Sequence, residues 1–212
     1  ACNYNSDANA NDDSCDYACH DNGDYSLYFD GIDDYVNLGN QSDLIGDFSI
    51  EANIKISQLD GNVHTIYAIS DETYGQTTPK GYMFHVYNNI LKFGYRLDNG
   101  NDFISVNSNT EIDYEVWYNV AVVRLNNEIY LFINGEEVGN ESFAGDISFP
   151  DSINSYIGKW VNGVGGSNSY HYSGDIGELR IWNRALSINE LNGEYNSDNA
   201  IIANYKFKKG IS

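Results

Sequence analysis

Basic residues are scarce in this chain: 11 Lys and Arg stand against 31 Asp and Glu over 212 residues, a net charge of −20. Such a surface repels phosphate backbones, which excludes nucleic acid as a partner and favours hard cations with oxygen ligands, calcium above all; acidity also keeps a secreted protein soluble. No apolar run approaches the roughly 18 residues of a membrane-spanning helix, so membrane insertion is not expected. The first residues, ACNYNSDANAND, contain neither a basic region nor an apolar segment, and any signal peptide is expected to have been removed already. Only three cysteines occur, Cys2, Cys15 and Cys19, all within the first twenty residues. They suggest a small stapled segment rather than bridges across a core, with one disulfide, Cys2–Cys15 as its first pairing, an odd cysteine left over and an oxidising, extracellular setting. The odd cysteine also hints at a piece of a larger multidomain protein. The four histidines, His20, His64, His85 and His171, are scattered and indicate no metal cluster. There is no nucleophile elbow, P-loop or dinucleotide fingerprint, and no repeat of solenoid or propeller period.

Aromatic residues are abundant instead. Tyr 18, Phe 9 and Trp 3 with only two prolines suit half-buried strands, where aromatic and β-branched side chains pack on a pleated surface. Residues 1–22 lack large aliphatics and read as an acidic appendage; 23–212 read as one all-β domain. Phe48, Ile50, Ala52, Ile54 and Ile56 alternate with Ser49, Glu51, Asn53 and Lys55, a half-buried strand. Further strands are expected at 25–30, 34–38, 63–70, 81–87, 90–96, 103–107, 117–125, 128–134, 153–158, 174–182 and 200–207. Asn88-Asn89, Asn126-Asn127 and Asn134-Gly135 mark tight antiparallel turns. In 117–125, from Trp117 to Val123, nearly every residue is apolar, which predicts a strand buried on both sides. One short helix is expected near 187–195, opened by a Ser187/Glu190 capping box, with Arg184 beside it in a structural role.

Three segments in order, LYFDGIDDYVNL (27–38), WYNVAVVRLNNEIYLFINGEEVG (117–139) and GDIGELRIWNRALS (174–187), resemble laminin-G-like domains of the concanavalin A-like superfamily, and IIANYKFKKG resembles the family's terminal strand. The resemblance covers about 25–210. It implies a jelly-roll sandwich of two antiparallel sheets and a non-catalytic recognition or adhesion module. It also implies a structural calcium at Asp30, with Asp33 beside it and an acid from the closing strand, Asp175 or Glu178. The family often has Asp where this chain has Gly177, a departure at that ligand. The first seventeen residues resemble cysteine-flanked acidic repeats of secreted bacterial surface proteins. There Asp7, Asn9, Asn11 and Asp13 have the spacing of the first half of a calcium loop, but Asp12 replaces its glycine and Ala18 its final Glu, so this is either a non-helical calcium loop or a tail.

Sugars need aromatic faces and planar polar groups. Two loops offer both: 71–82 with Tyr74 and Tyr82, and 159–172 with Trp160, Asn162, Tyr170 and His171. A face carrying His85, Tyr87, Lys92 and Arg96 is a third option, suited to an anionic polysaccharide. The expected function is binding of a polysaccharide or cell-surface glycan. Its alternatives are a spacer domain without a ligand, and a glycoside hydrolase using Glu111, Asp113 and Glu115. That E-x-D-x-E would put three carboxylates on one strand face, as in family 16 hydrolases of the same jelly-roll.

Overall fold

A computed structural model describes residues 25–40, 44, 46–58, 61–70, 81–96, 103–142, 154–162, 168–194 and 201–207. In chain order the elements are β1 (Leu27–Asp30), β2 (Val36–Gly39), β3 (Phe48–Ile56), β4 (Val63–Ser70), β5 (Gly81–Tyr87), β6 (Ile90–Arg96), β7 (Phe103–Glu111) and β8 (Tyr118–Leu125). There follow β9 (Glu128–Ile133), β10 (Glu136–Ser142), β11 (Asn154–Ile157), β12 (Lys159–Asn162), β13 (Asn168–His171), β14 (Ser173–Trp182), α1 (Ile188–Leu191) and β15 (Ile201–Tyr205). A seven-stranded sheet runs β1-β14-β3-β8-β9-β10, with β15 also paired to β14; a six-stranded sheet runs β2-β11-β4-β5-β6-β7. The fold is the expected all-β, two-sheet antiparallel jelly-roll sandwich with one short helix. No helix among the described residues is long and apolar enough to cross a membrane.

Alternation builds the core. Ile50, Ile54, Val120 and Val122 of one sheet meet Tyr82, Phe84 and Phe93 of the other, all fully buried. Phe48 stacks on Tyr82 with centroids 5.9 Å apart. Each such side chain contributes about 1.5–3 kcal/mol on burial, so this interior dominates stability. The three Asn-rich turns take positive φ at both positions (50° and 65°, 50° and 66°, 51° and 77°), which matches the twist of two-residue hairpins.

The helix is shorter than expected. It ends at Leu191, because Gly193 takes φ 93° and the chain turns away. Leu186 and Leu191 cover Ala121, Val123 and Trp182 on the outer face of the seven-stranded sheet, which is why β8 is buried on both sides from Val120 to Arg124. Trp117 departs from that expectation: it precedes β8, beyond the helix's reach, and is 47% exposed. Residues 159–172, read as a loop, contain the β12–β13 hairpin, which packs Trp160 on Ala68 and Met83 at the outer face of the six-stranded sheet.

Candidate functional site

Among the described residues of the two aromatic loops, Tyr82 and Trp160 are buried. Tyr82 is 0% exposed within the sandwich and Trp160 is 4% exposed under its hairpin, so neither offers a ring face to a ligand; both expectations are corrected. Tyr170 is half-buried against the Trp160 cluster. His171 is half-buried with Nδ1 3.4 Å from the Asp34 carbonyl, and Asn162 stands opposite Asn168 in the hairpin register. Tyr74 lies outside the described residues. On the face of His85, Tyr87 and Lys92, His85 is buried and desolvation pushes it down to about 4, so it adds no positive charge, while Lys92 Nζ lies 5.6 Å from the Tyr87 ring centre.

The acidic turn is formed. Carboxylate oxygens of Asp30, Asp33 and Asp34, all exposed, lie within 4.8 Å of one another. Asp30 Oδ1 accepts from the Ile32 and Asp33 N–H groups at 2.8 and 3.3 Å, and the Asp30 N–H donates to Asp34 Oδ2 at 3.0 Å. The Ile32 N–H chiefly, with Asp33 and Asp34 helping, holds the Asp30 carboxyl below its ordinary range. Glu178 does not join them. Asp30 pairs with Ser173, five positions away along β14, which at about 3.3 Å per residue is a separation of roughly 16 Å. Glu178 instead faces Arg180 at 3.4 Å and Lys206 at 3.5 Å, while Asp175 binds Lys55 at 3.0 Å. Asp7, Asn9, Asn11 and Asp13, with the three cysteines, lie outside the described residues.

The E-x-D-x-E trio is not on one strand. Glu111 ends β7, Asp113 follows it, and Glu115 sits in a turn at φ 59° with its N–H donating to the Ile56 carbonyl at 2.7 Å. The single-face arrangement that a hydrolase dyad requires is therefore missing.

A site that sequence reasoning missed lies on the outer face of the seven-stranded sheet. A cavity of about 580 Å³ opens there, with Trp117, Tyr118, Asn53, Asn119, Gly177 and Glu178 in its lining. Its position follows from a β-bulge. Ile176 pairs with Ile54 but Leu179 with Ala52, so Gly177 and Glu178 together oppose Asn53. On the other side of β14, β1 pairs with 173–176 and β15 with 179–182, so neither first nor last strand covers the bulge. The chain enters the fold past this gap through Tyr25 and Ser26 and leaves through Lys206 and Phe207, and all four line the cavity. The lack of a side chain at Gly177 leaves room beside the Trp117 indole: a Cβ there would lie 3.7 Å from Trp117 Cζ3 and 3.2 Å from Asn53 Cβ.

The polar groups are held in place. Asn119 Nδ2 donates to Glu51 Oε1 at 2.8 Å and to Asn53 Oδ1 at 3.0 Å, and Glu51 is buried with Arg180 Nε 3.8 Å from its other oxygen. Lys55, fixed by Asp175, lies 5.5 Å from the centre of the Trp117 ring, so cation–π attraction steadies the indole. The arrangement is an open hydrophobic ring beside fixed amides, suited to a ligand with an apolar face and a hydroxyl-rich edge. Parity carried a signal for it: Trp117 shares its strand phase with Asn119, an outward-facing polar residue, and not with core-facing Val120 and Val122.

A family model described as the concanavalin A-like lectin/glucanases superfamily matches residues 19–192. None of the curated proteins matches the chain. Among solved structures, the CBM40 of a Ruminococcus gnavus IT-sialidase, bound to α2,3 sialyllactose, superposes with a TM-score of 0.64 at 15% identity, covering 80% of this chain and 97% of that one. Domain 4 of a Geobacillus stearothermophilus extracellular arabinanase, in complex with arabinotriose, gives 0.59 at 18% identity, over 79% and 75%. A heptameric pentraxin from Limulus polyphemus gives 0.55 at 17% identity, over 80% of each chain. At these identities the likeness is one of fold.

Proposed function

This chain belongs to the concanavalin A-like lectin/glucanases superfamily, and from that premise we propose that it is a carbohydrate-binding module whose site is the cavity beside Trp117. The observation that carries the reading is the half-exposed Trp117 indole facing a cavity lined by the oriented amides of Asn53 and Asn119. The sialidase and arabinanase modules of the same architecture are seen with glycans, which supports the ligand class though not the location. We assign it binding without turnover, since Glu111, Asp113 and Glu115 do not share a strand face. Secretion, and a place within a larger surface-active protein, rest on the acidity and the clustered cysteines. A glycan screen followed by calorimetry tests the reading. Trp117→Ala should weaken binding about tenfold, a loss of about 1.4 kcal/mol, with the fold kept because the ring is outside the core. Binding unaffected by that change would place the ligand elsewhere.

A second reading concerns calcium. The Asp30, Asp33 and Asp34 oxygens form a hard-oxygen donor set, which suits calcium completed by water or backbone oxygens. It would be a structural ion, remote from the Trp117 cavity, and a chelator-sensitive melting temperature is its test.

A further inference from the structure

We infer that the Trp117 cavity selects an uncharged glycan segment bearing neighbouring hydroxyls, and discriminates against acidic sugars; this deepens the carbohydrate-binding reading and rests on it. Hydrogen-bond capacity comes first. The two Nδ2 hydrogens of Asn119 are directed to Glu51 and Asn53, which leaves Asn119 Oδ1 as its remaining side-chain group for a ligand in the cavity it lines. Asn53 spends its Oδ1 on Asn119 and presents its Nδ2 as a donor. One acceptor and one donor side by side match adjacent hydroxyls on a sugar ring, each of which can donate and accept. A carboxylate can only accept, and against Asn119 Oδ1 it meets a second acceptor.

Charge points the same way. Lys206 faces Glu178 at 3.5 Å, Arg180 is shared between Glu178 at 3.4 Å and Glu51 at 3.8 Å, and Lys55 is held by Asp175 at 3.0 Å. Each of these cations is already partly neutralised by a carboxylate, so an acidic sugar gains less from them than from an unpaired cation. It would also approach a chain of net charge −20.

The test is calorimetric titration of the whole chain with neutral probes (arabinotriose, cellotriose, lactose) and acidic ones (sialyllactose, tri-galacturonic acid), each repeated with Trp117→Ala. The expected result is Trp117-dependent binding of a neutral probe, at least about tenfold tighter than any acidic probe. Raising sodium chloride tenfold should change that affinity by no more than about twofold, because no net charge is paired on binding. Trp117-dependent binding that favours an acidic probe and weakens as salt rises would overturn the inference while leaving the carbohydrate-binding site in place. No binding of any probe, or binding indifferent to Trp117→Ala, would overturn both.

Discussion

Gly177 is the residue on which the cavity depends. Its φ lies outside the left-handed region, so the backbone does not oppose a side chain there; a Cβ would lie 3.7 Å from Trp117 Cζ3 and 3.2 Å from Asn53 Cβ, close enough that Asn53 must shift by a few tenths of an ångström. Gly177→Val should therefore cost glycan affinity at least about tenfold while moving the melting temperature by only a few degrees, measured by calorimetry and thermal denaturation on the same preparation. A variant that melts much lower yet binds normally would show that Gly177 serves packing and not the site. Gly177 stands where the resembled family often has Asp, and the missing side chain leaves space beside Trp117. Gly177 was visible in the sequence as a departure, but the space it leaves was not. Its consequence depends on Trp117, sixty positions away in the chain, lying over it. Tyr82 and Trp160 misled for the converse reason: aromatics in Gly- and Asn-rich stretches looked exposed, but tertiary partners far along the chain bury them.

At the scale of elements, what local chemistry determines was legible and what packing determines was not. The two-residue turns and the capping box are short-range patterns, and both form as read. The β12–β13 hairpin has no such signature, since it is held by Trp160 against Ala68 and Met83 of the six-stranded sheet. The capped segment carries a pH dependence. Arg184 donates to both Glu190 oxygens, at 2.6 and 3.0 Å, and Glu190 Oε2 accepts from the Ser187 N–H at 2.9 Å. The Arg184 guanidinium first, then Ser187, hold the Glu190 carboxyl down to about 2. Because the folded value lies below the ordinary carboxylate range near 4.3, this contribution is fully present above about pH 5 and is lost as pH falls towards about 2. Glu190→Gln keeps a capping acceptor but loses the charge. It should be less stable by about 1–2 kcal/mol at neutral pH, and the gap should narrow as pH falls below about 4 and close towards about pH 2. Urea midpoints across that range check it; a constant gap between the two proteins would mean the ion pair contributes nothing.

For the whole molecule, the two-sheet architecture was readable because three motifs stood in the family's order, whereas the ligand cavity draws on residues 25–26, 53, 117–119, 177–178 and 206–207 and exists only once the sheet has closed. The acidic turn has a comparable place. It connects β1, in the seven-stranded sheet, to β2, in the six-stranded one, so residues 31–35 carry the chain from one layer to the other at the sandwich edge. Three exposed carboxylates within 4.8 Å repel one another there, in a chain that is already strongly acidic. A cation bound at this crossing would relieve that repulsion and hold the first strands of both sheets together. An ion bound by the native state alone at about a hundredfold its dissociation constant adds roughly 2.7 kcal/mol. For a chain of this size that amounts to about 5–10 °C in melting temperature. Chelation should lower the melt by that order, and Asp30→Asn with Asp33→Asn should melt at the lower temperature with or without calcium. If the double variant stays as chelator-sensitive as the parent, the ion lies elsewhere, with the Asp7–Asp13 stretch the next place to test. If the parent melts unchanged in chelator, the sandwich holds its edges together by packing and strand pairing without calcium.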